Sequence, residues 1–540
     1  MADQTTQSTE INQKGLDMDY NRSLIKQIED LMLENESLKC ENRKLRADNR
    51  ALRTRVKYLE DSIDTKIAVA VEHNMLPLRE HISELETQVI QKDEEILRLK
   101  AIINKDSSNS SKPPSTDGFK QIPNNREKSE RKRGGQPGHT GHSLSVPENL
   151  DKLVAEGKAT KKLVDYTNGA EEYVSKWIVD IDIKTVYTEI RYPVETKLPP
   201  QLQPEVVYGN GIKSLAVLLE QEGVIAIKRL SDFFGMVTGD LLTPSKGTIE
   251  GFIMTFAGSI DDDIAAIKET LLNGLVINTD DTPMRCAETY EYKEGGSATL
   301  KTAENSTFGV NIRTYSNEKA TYYTVNPGKG DDGILRDGLL PDFLGILGHD
   351  HDKKFYKYSI LHATCCEHLL RDLKGLRDLY NCLWAESFRR FLKEMNAHKK
   401  SDQSLGIKKC EESLLESYSE RYDNLVRDGE IALTGIELGT FGYDELRKMV
   451  ARLRNYKDAY LLFIRDYNAP FTNNLAERDL RPCKTRQKIS GCFRTWRGIS
   501  DFVKIMSVFS TWKKQQADLF TKIKEKFIEP HSTLNIPSGQ

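Results

Sequence analysis

The chain has 540 residues, with 78 Lys and Arg against 81 Asp and Glu, which gives a formal net charge of −3. At roughly 150 residues per domain, this length predicts about three or four domains rather than one core. The near-neutral charge excludes a uniformly basic, histone-like coat protein, but it is compatible with a DNA enzyme whose basic residues are concentrated locally.

The sequence shows no signal for export or membrane insertion. The segment from Met1 to Lys14 is polar, and no apolar run approaches the roughly 20 residues that span a bilayer. The eight cysteines are too few for a disulfide scaffold and form no Cys-x-x-Cys pair of the kind that binds zinc. We therefore expect a protein of the reducing cytoplasm.

A leucine heptad is the sharpest pattern near the N-terminus. Residues 1–20 are polar and predicted to be disordered, whereas 21–105 are predicted to form an α-helical coiled coil, a leucine zipper. Leucine recurs at every seventh position: Leu24, Leu31, Leu38, Leu45, Leu52 and Leu59. Asn residues three positions earlier, such as Asn35 and Asn42, favour a parallel pair of helices. Residues 21–63 are thus predicted to form a homodimer or higher oligomer, with a helix packed on its own protein as the alternative.

A second heptad segment follows Pro77, which is expected to interrupt the first helix. Its apolar positions include Ile82, Leu85, Val89 and Ile96. This segment either extends the coil or folds back on it.

Residues 106–142 are predicted to be a linker, rich in Ser and Pro at first and then basic. Its basic half contains Arg131, Lys132 and Arg133. A flexible basic arm binds a phosphate backbone by releasing counterions, so we predict a DNA contact here. A solvated charged linker is the alternative.

Two small regions follow the linker. Residues 143–200 are predicted to be a β-containing module, and residues 201–272 are predicted to be helical. Two short helices around a Gly-containing turn within 225–256 suit a helix-turn-helix, with a plain packing hairpin as the alternative. Together these regions are predicted to be a small helical and β DNA-binding region.

An α/β core is predicted from residue 273 onward, because short apolar runs with strand character begin there. The core comprises 273–365 and 465–515, and a helical insertion, 366–464, separates its two parts. Residues 516–540 are predicted to be a C-terminal tail.

Three acidic residues stand at informative places in this core. Asp280 follows the buried strand 275–279, Asp350 follows a second strand, and Glu477 lies near a predicted helix start. Strand-end carboxylates point toward the same edge of a sheet, and such a cluster repels itself unless cations neutralise it. Mg²⁺ prefers carboxylate oxygens, and two such ions suit phosphodiester chemistry.

Each acid has an alternative. Asp281 is a rival of Asp280, and Asp352 is a rival of Asp350. Asn474 and Glu477 have the spacing of a capping box, in which Glu477 serves only the helix end.

A basic segment follows Glu477. Residues 478–497 hold seven basic residues and one acid, a net charge of +6. Positive charge beside an acidic centre suits a polyanion, and aromatic rings stack on exposed bases. The predicted DNA-binding residues of this segment are Arg478, Arg481, Lys484, Arg486, Lys488, Arg494, Trp496 and Arg497. A solvated charge run is the alternative.

Several motifs, in order, resemble those of bacterial transposases of the insertion sequence 66 family. They are Ser107-Ser-Asn-Ser-Ser-Lys-Pro-Pro-Ser-Thr-Asp117, Gly134-Gly-Gln-Pro-Gly-His-Thr-Gly141, Asn278-Thr-Asp-Asp-Thr-Pro-Met-Arg285, Cys366-Glu-His-Leu-Leu-Arg371, Asn473-Asn-Leu-Ala-Glu-Arg-Asp-Leu-Arg481 and Lys488-Ile-Ser-Gly491. The resemblance covers the chain from about 20 to 515.

The resemblance implies a transposase with an RNase H-like DDE domain. Asp280, Asp350 and Glu477 match the positions of the catalytic, metal-binding triad. The implied reaction depends on Mg²⁺, with Mn²⁺ as a substitute: water frees a 3′-OH at the element end, and that hydroxyl attacks target DNA. Terminal inverted repeats, target DNA and accessory transposition proteins are the implied partners. His368 and Arg371 are given secondary roles at the DNA or the edge of the centre, with helix packing as the alternative.

The sequence departs from the family pattern in one important place. Many members carry a cysteine zinc module after the Gly-Gly-Gln-Pro-Gly-His segment, but residues 143–200 contain no cysteine, so we expect no zinc. Two rival functions stay open: a catalytically inactive coiled-coil DNA-binding or scaffold protein, and a metal-dependent nuclease that cleaves without joining.

Overall fold

The computed structural model describes residues 3–60, 65–104, 145–166, 168, 171–172, 174–181, 183–192, 197–198, 200–293, 297–436 and 440–527. These residues belong to two compact units: one comprises Met1–Ile122 with Ile260–Asp518, the other Pro123–Ser259 with Leu519–Gln540. None of the helices in the described ranges has the length and apolar character needed to cross a bilayer.

The helices are α1 (Asp3–Glu60), α2 (Thr65–Asn104), α3 (Leu150–Ala155), α4 (Asn210–Gln221), α5 (Ile227–Thr238), α6 (Lys246–Gly258), α7 (Asp261–Leu272), α8 (Asp331–Asp337), α9 (Cys366–Tyr380), α10 (Leu383–Ser404), α11 (Glu412–Thr434), α12 (Phe441–Asn455), α13 (Lys457–Arg465), α14 (Asn474–Ser490), α15 (Trp496–Lys514) and α16 (Leu519–Lys526). The strands are β1 (Val276–Cys286), β2 (Glu288–Tyr292), β3 (Ala298–Thr302), β4 (Phe308–Ser316), β5 (Thr321–Asn326), β6 (Ile346–His349) and β7 (Leu361–Thr364).

The two N-terminal helices run antiparallel and pack along the heptad face. Asn35 Nδ2 donates to Asp93 Oδ1 at 2.8 Å, and further along α1 the partner of Arg46 is Glu86. Leu24 and the asparagines at the heptad positions are buried; the asparagines are Asn35, Asn42 and Asn49. The face on which we predicted a parallel partner is thus covered by α2 of the same chain, which is the fold-back alternative. A homodimer through 21–63 stays a prediction.

Two local expectations for this region were wrong. The backbone is helical from Asp3, and no proline interrupts residues 3–20. The backbone of α2 also continues through position 77. A proline removes one helical hydrogen bond, and contacts between α1 and α2 in the described part of the pair, such as Asn35 with Asp93, favour a continuous helix.

The second unit is built from α4, α5, α6 and α16. Leu230, Phe234 and Ile249 form part of its apolar core. Its C-terminal end is not a free tail as predicted: Asn210 Nδ2 of α4 donates to the Phe527 carbonyl at 2.7 Å. The predicted helix-turn-helix corresponds to α5 and α6, which are joined by a turn that starts at Gly239 and ends at Ser245, the N-cap of α6.

The predicted β-containing module is not observed. In the described part of 143–200 there is no strand, and the one helix is α3. Side chains with a strand-like pattern, such as Ile178 and Val186, are 92% and 80% exposed. An alternating pattern forms a stable sheet only where other residues cover its apolar face. Among the described residues of this region, the apolar side chains are not covered in this way.

The first unit contains a five-stranded mixed sheet in the order β5-β4-β1-β6-β7. Strands β1, β4 and β5 are antiparallel neighbours, whereas β6 and β7 run parallel to β1. Strands β2 and β3 form a separate hairpin between β1 and β4 in the chain. This mixed α/β core confirms the predicted core class. Helix α7 packs with α15 and β5, so it belongs to this unit rather than to the helical region 201–272.

The edge strand β5 is protected by α15. Ser507 Oγ accepts the backbone N–H of Tyr323 at 2.8 Å, and Thr511 Oγ1 accepts that of Thr321 at 3.0 Å. These hydroxyls stand four residues apart on the helix, opposite alternate residues of the strand. They satisfy donors that would otherwise form an open sheet edge.

The predicted helical insertion, 366–464, consists of α9 to α13. Its helices enclose a core of their own that includes Phe388, Phe391 and Tyr422. Because α13 packs on β7, the insertion also covers one end of the sheet.

Candidate active site

The three predicted acids lie at the middle of the five-stranded sheet. Parallel pairing of β1 with β6 ends at Asn278 and Gly348, so Asp280 lies just beyond it. The strand does not end there as predicted: β4 pairs along β1 as far as Cys286. Asp350 follows the last residue of β6, as predicted.

Glu477 reaches this place because the start of α14 is tied to the sheet. Asn473 Nδ2 donates to the Thr279 carbonyl at 2.8 Å, and the Asn473 backbone N–H donates to Cys365 Sγ at 3.2 Å. Asn473, the N-cap, makes no side-chain capping bond. Asn474 is thus the first helical residue and not the N-cap, so the capping box of Asn474 and Glu477 finds no support, and Glu477 lies close to His368.

A histidine lies between two of the acids. His368 Nδ1 is 3.2 Å from Asp350 Oδ1 and 3.7 Å from Glu477 Oε1. Neither contact is an aligned hydrogen bond, because all three atoms are buried without such a partner among the described residues. They are ion contacts, and His368 therefore touches the acids rather than only packing within α9.

Burial and like charge perturb the protonation of the centre. Burial raises the pKa of Asp280 well above its usual range, and the nearby Asp350, Asp281 and Glu477 carboxylates add to the rise. For Asp350, burial acts upward, but His368 lowers its pKa overall. For His368, burial acts downward, yet Asp350 and Cys365 raise its pKa to about 11. Asp280 is thus close enough to feel both other acids, and His368 is their cationic neighbour.

The donor set suits a divalent cation. Asp350, Glu477, His368 and Cys365 place one potential ligand atom each within 4.8 Å of one another. Asp350 Oδ1 and Glu477 Oε1 are buried and make no aligned hydrogen bond among the described residues, although His368 Nδ1 approaches them to 3.2 and 3.7 Å. Buried carboxylate oxygens without donors are unfavourable unless a cation compensates them. With Asp280 beside them, the acids fit a metal centre.

Cys365 was missed by the sequence analysis, which singled out Cys366 through the family motif. The Cys366 thiol is fully buried and lies near the backbone carbonyls of Thr364 and Tyr460. Cys365 is the N-cap of α9 and faces the centre. Two adjacent cysteines carry no sequence signal for which of them faces a site.

The rival acids have other partners. Asp281 is 6% exposed and pairs with Lys329 at 2.7 Å, with Lys354, and with Arg313 at 3.9 Å. Burial acts to raise the pKa of Asp281, but Lys354 and Lys329 lower it. Asp352 is half-exposed and caps the 3₁₀ turn Lys353–Lys357 by accepting the Lys354 N–H at 3.2 Å. Both rival acids are thus neutralised by lysines of the protein itself, unlike Asp280, which makes no ion pair in the part of the chain that the structure describes.

The comparison with family models decides the assignment. The model described as "Transposase IS66 family" matches residues 205–501, more than half of the chain. The chain belongs to the IS66 transposase family. This confirms the resemblance seen in the sequence motifs, and the match includes Asp280, Asp350 and Glu477. A family of unknown function (DUF6444) matches residues 21–145. No curated protein and no solved structure matches the chain.

The basic segment of this IS66 transposase lies next to the acid centre, on α14 and the start of α15. Arg478, Arg481 and Lys488 of α14 are exposed, as are Arg494 and Arg497. Lys484 is half-buried and donates to the Pro283 carbonyl at 2.9 Å. Burial lowers the pKa of Lys484, although the Asp280 carboxylate opposes that effect. This strand contact holds α14 beside β1.

Two of the side chains predicted to bind DNA contact aromatic rings of the protein. The Arg486 guanidinium lies over the rings of Phe493 and Phe502, at 6.0 and 5.6 Å from their centroids. Trp496 meets the ring of Tyr290 edge-on at 5.4 Å. Both side chains therefore contribute to packing in this transposase.

The remaining predicted site residues are placed as follows. Arg371 is half-buried on α9, one turn after His368. Arg131, Lys132 and Arg133 lie outside the described residues.

Proposed function

We propose that this IS66 family protein is a DDE transposase of a bacterial insertion sequence. It binds terminal inverted repeats and catalyses metal-dependent DNA strand cleavage and strand transfer. The observation that carries the proposal is the meeting of Asp280, Asp350 and Glu477 from two strands and a helix at one place on the sheet. The strand order β5-β4-β1-β6-β7, with β6 and β7 parallel to β1, supports an RNase H-like core.

The roles of the acids follow from their positions. Asp280, Asp350 and Glu477 hold the metal, with Mg²⁺ as the preferred ion and Mn²⁺ as a substitute. When bound, divalent ions activate the attacking oxygen and stabilise the leaving one. The centre is only partly exposed, which strengthens its hold on a phosphate and on the ions.

The basic residues position the DNA. Arg478, Arg481 and Lys488 lie on the same helix as Glu477, so phosphates bound by them lie close to the acids. Arg494 and Arg497 extend this basic surface, and the basic residues 131–133 are proposed to add phosphate contacts. Helices α5 and α6 are proposed to contact the terminal repeats. A protein with these partners works in the cytoplasm, at the nucleoid.

The decisive experiment is a strand-transfer assay on DNA that carries the terminal repeats of the element. With Mg²⁺, we expect cleaved ends and joined products, and chelation should abolish both. Cleaved ends without joined products would instead identify a nuclease, and DNA binding without cleavage would identify an inactive scaffold.

We also propose that residues 21–63 support a homodimer or higher oligomer, and that accessory transposition proteins take part. In the described chain α2 covers the heptad face, so a dimer needs either exchange of α2 between copies or a further helix face. Deletion of 21–63 should lower the mass measured by light scattering, and an unchanged mass would contradict this proposal.

A further inference from the structure

The ligand set around Asp350 is chemically mixed. Asp350 and Glu477 offer oxygen, His368 offers nitrogen and Cys365 offers sulfur, all within 4.8 Å of one another. Asp280 is not one of these four residues, although its charge is coupled to theirs. The centre therefore has two unlike sides: one has only oxygen ligands, and the other adds imidazole and thiol.

The fold holds the two unexpected ligands in place. Cys365 is the N-cap of α9, and His368 lies in the first turn of the same helix. Residues three apart at the start of a helix lie on one face, so both side chains reach toward the end of β6. Cys365 is anchored from the other side, because the Asn473 N–H donates to its sulfur at 3.2 Å. Backbone N–H donors to sulfur are a common support of metal-bound thiolates.

The ligand atoms are available. Asp350 Oδ1, His368 Nδ1 and Glu477 Oε1 are buried and make no aligned hydrogen bond among the described residues. Three convergent polar atoms without such partners, beside a fixed thiol, form a site rather than a chance acidic patch.

Metal preference follows from ligand type. Mg²⁺ takes oxygen ligands in a near-octahedral arrangement and retains several waters, so sulfur and imidazole contribute little to its binding. Zn²⁺ binds Cys, His and carboxylate ligands in tetrahedral sites. Thiolate favours Zn²⁺ over Mg²⁺ in general.

We propose that Cys365, His368, Asp350 and Glu477 form a tetrahedral position that binds Zn²⁺ in preference to Mg²⁺. The inference rests on the proposed function in one respect: Asp350 and Glu477 serve both positions, so Zn²⁺ competes with the Mg²⁺ used for DNA chemistry. It differs from the expectation of no zinc, which was based on the absence of cysteine from 143–200.

Cobalt titration of the full chain tests the inference, since Co²⁺ reports its own ligands. In the wild type we expect one Co²⁺ per chain, with the strong visible absorption of a tetrahedral ion and a thiolate-to-cobalt band in the near ultraviolet. Equimolar Zn²⁺ should remove both signals, whereas a large excess of Mg²⁺ should not.

Cys365→Ser should lose the thiolate band and weaken Zn²⁺ binding at least about tenfold. Cys40→Ser, which removes an exposed thiol on α1, is the matched control and should retain both. His368→Gln is the second variant: it leaves Cys365 intact and should weaken the visible signal and Zn²⁺ affinity. Circular dichroism checks that each variant is folded.

The outcomes separate this inference from the proposed function. Co²⁺ binding without a thiolate band in the wild type overturns the inference and leaves an all-oxygen centre in place. A thiolate band that persists in Cys365→Ser also overturns it, because another cysteine is then the ligand. A wild type that binds neither Co²⁺ nor Mn²⁺ contradicts both the inference and the metal-dependent function.

Discussion

Asp280 and Asp281 are neighbours on β1, but their carboxylates have opposite electrostatic surroundings. Asp280 lies near Asp350 and Glu477, and within the described residues its carboxylate makes no ion pair, although Lys484 interacts with it at longer range. Asp281, the next residue, contacts three cations: Lys329, Lys354 and Arg313. The first arrangement is unfavourable without an added cation, whereas the second is neutralised by the protein itself.

The ion pairs of Asp281 continue into a buried network. Arg313 Nη1 donates to Asp337 Oδ2 at 2.6 Å, and the Tyr315 hydroxyl donates to the same oxygen at 2.7 Å. Asn326 Nδ2 donates to Asp337 Oδ1 at 2.7 Å. The charges around an acid on a strand therefore distinguish a candidate metal ligand from a stabilising ion-pair partner. The position of the acid in the sequence does not reveal those charges.

The first prediction concerns the activity of a variant at Asp280. If the proposed function holds, Asp280→Asn should reduce strand transfer at least about 100-fold, because it removes a carboxylate that the proposal assigns to the metal. Strand-transfer rates measured under Mg²⁺ saturation check this. Asp352→Asn is the control, since the Asp352 side chain is half-exposed and pairs with Lys354, and this variant should retain full activity. Equal activity of wild type and Asp280→Asn would remove Asp280 from the centre.

The second prediction concerns the stability contributed by the buried network around Asp337. Asp337→Ala should lower the free energy of unfolding by about 3–5 kcal/mol, because it leaves the buried Arg313 charge without its closest partner. Urea denaturation measures this difference. Asp342→Ala, at an exposed position in the same region, should change the stability by less than about 0.5 kcal/mol. Similar values for the two variants would contradict the role of the network.

The third prediction compares the two neighbours directly. Asp281→Asn should lower the free energy of unfolding by about 1–3 kcal/mol, since it leaves Lys354 and Arg313 partly unpaired. Its Mn²⁺ affinity, measured by calorimetry, should stay within about twofold of the wild type. A folded Asp281→Asn protein that no longer binds metal would show that Asp281 is a ligand.

The fourth prediction concerns Lys399, a buried cation that makes no ion pair with an acid among the described residues. Lys399 is 5% exposed and donates to the Ala469 carbonyl at 2.6 Å. Burial lowers its pKa to about 8, although Asp466 acts in the opposite direction. Between this value and the ordinary pKa of about 10.4, the unfolded chain binds more protons than the folded chain. The stability contributed by this position therefore increases with pH in that window.

Lys399→Met provides the measurement. The unfolding free energy of the wild type minus that of Lys399→Met should rise by about 1–2 kcal/mol from pH 7.5 to 9.5. Lys400→Met, an exposed neighbour, serves as the control and should give a flat difference. A flat difference for Lys399→Met as well would show that its charge is not destabilised by burial.

Much of the α/β core could be predicted because its signals are local. Apolar runs predicted the strands near Asp280 and Asp350, and helical periodicity predicted the insertion 366–464. Extended pairing could not be predicted: β1 runs to Cys286 because β4 lies beside it. The strand-like pattern in 143–200 gave a wrong prediction of a β-containing module. In the described part of that region, no neighbouring strand pairs with these residues.

Ordered sequence motifs were enough to identify the family and to propose Asp280, Asp350 and Glu477 as one centre. The sequence by itself also determined the heptad face of α1, but periodicity does not specify which helix covers that face. The fold shows that α2 of the same chain packs on the heptad face of α1. It alone decided that Asp281 meets cations and that Cys365, rather than Cys366, faces the acids. Side-chain direction and the surrounding charge depend on strand register and helix docking, which are set by contacts between residues distant in the chain.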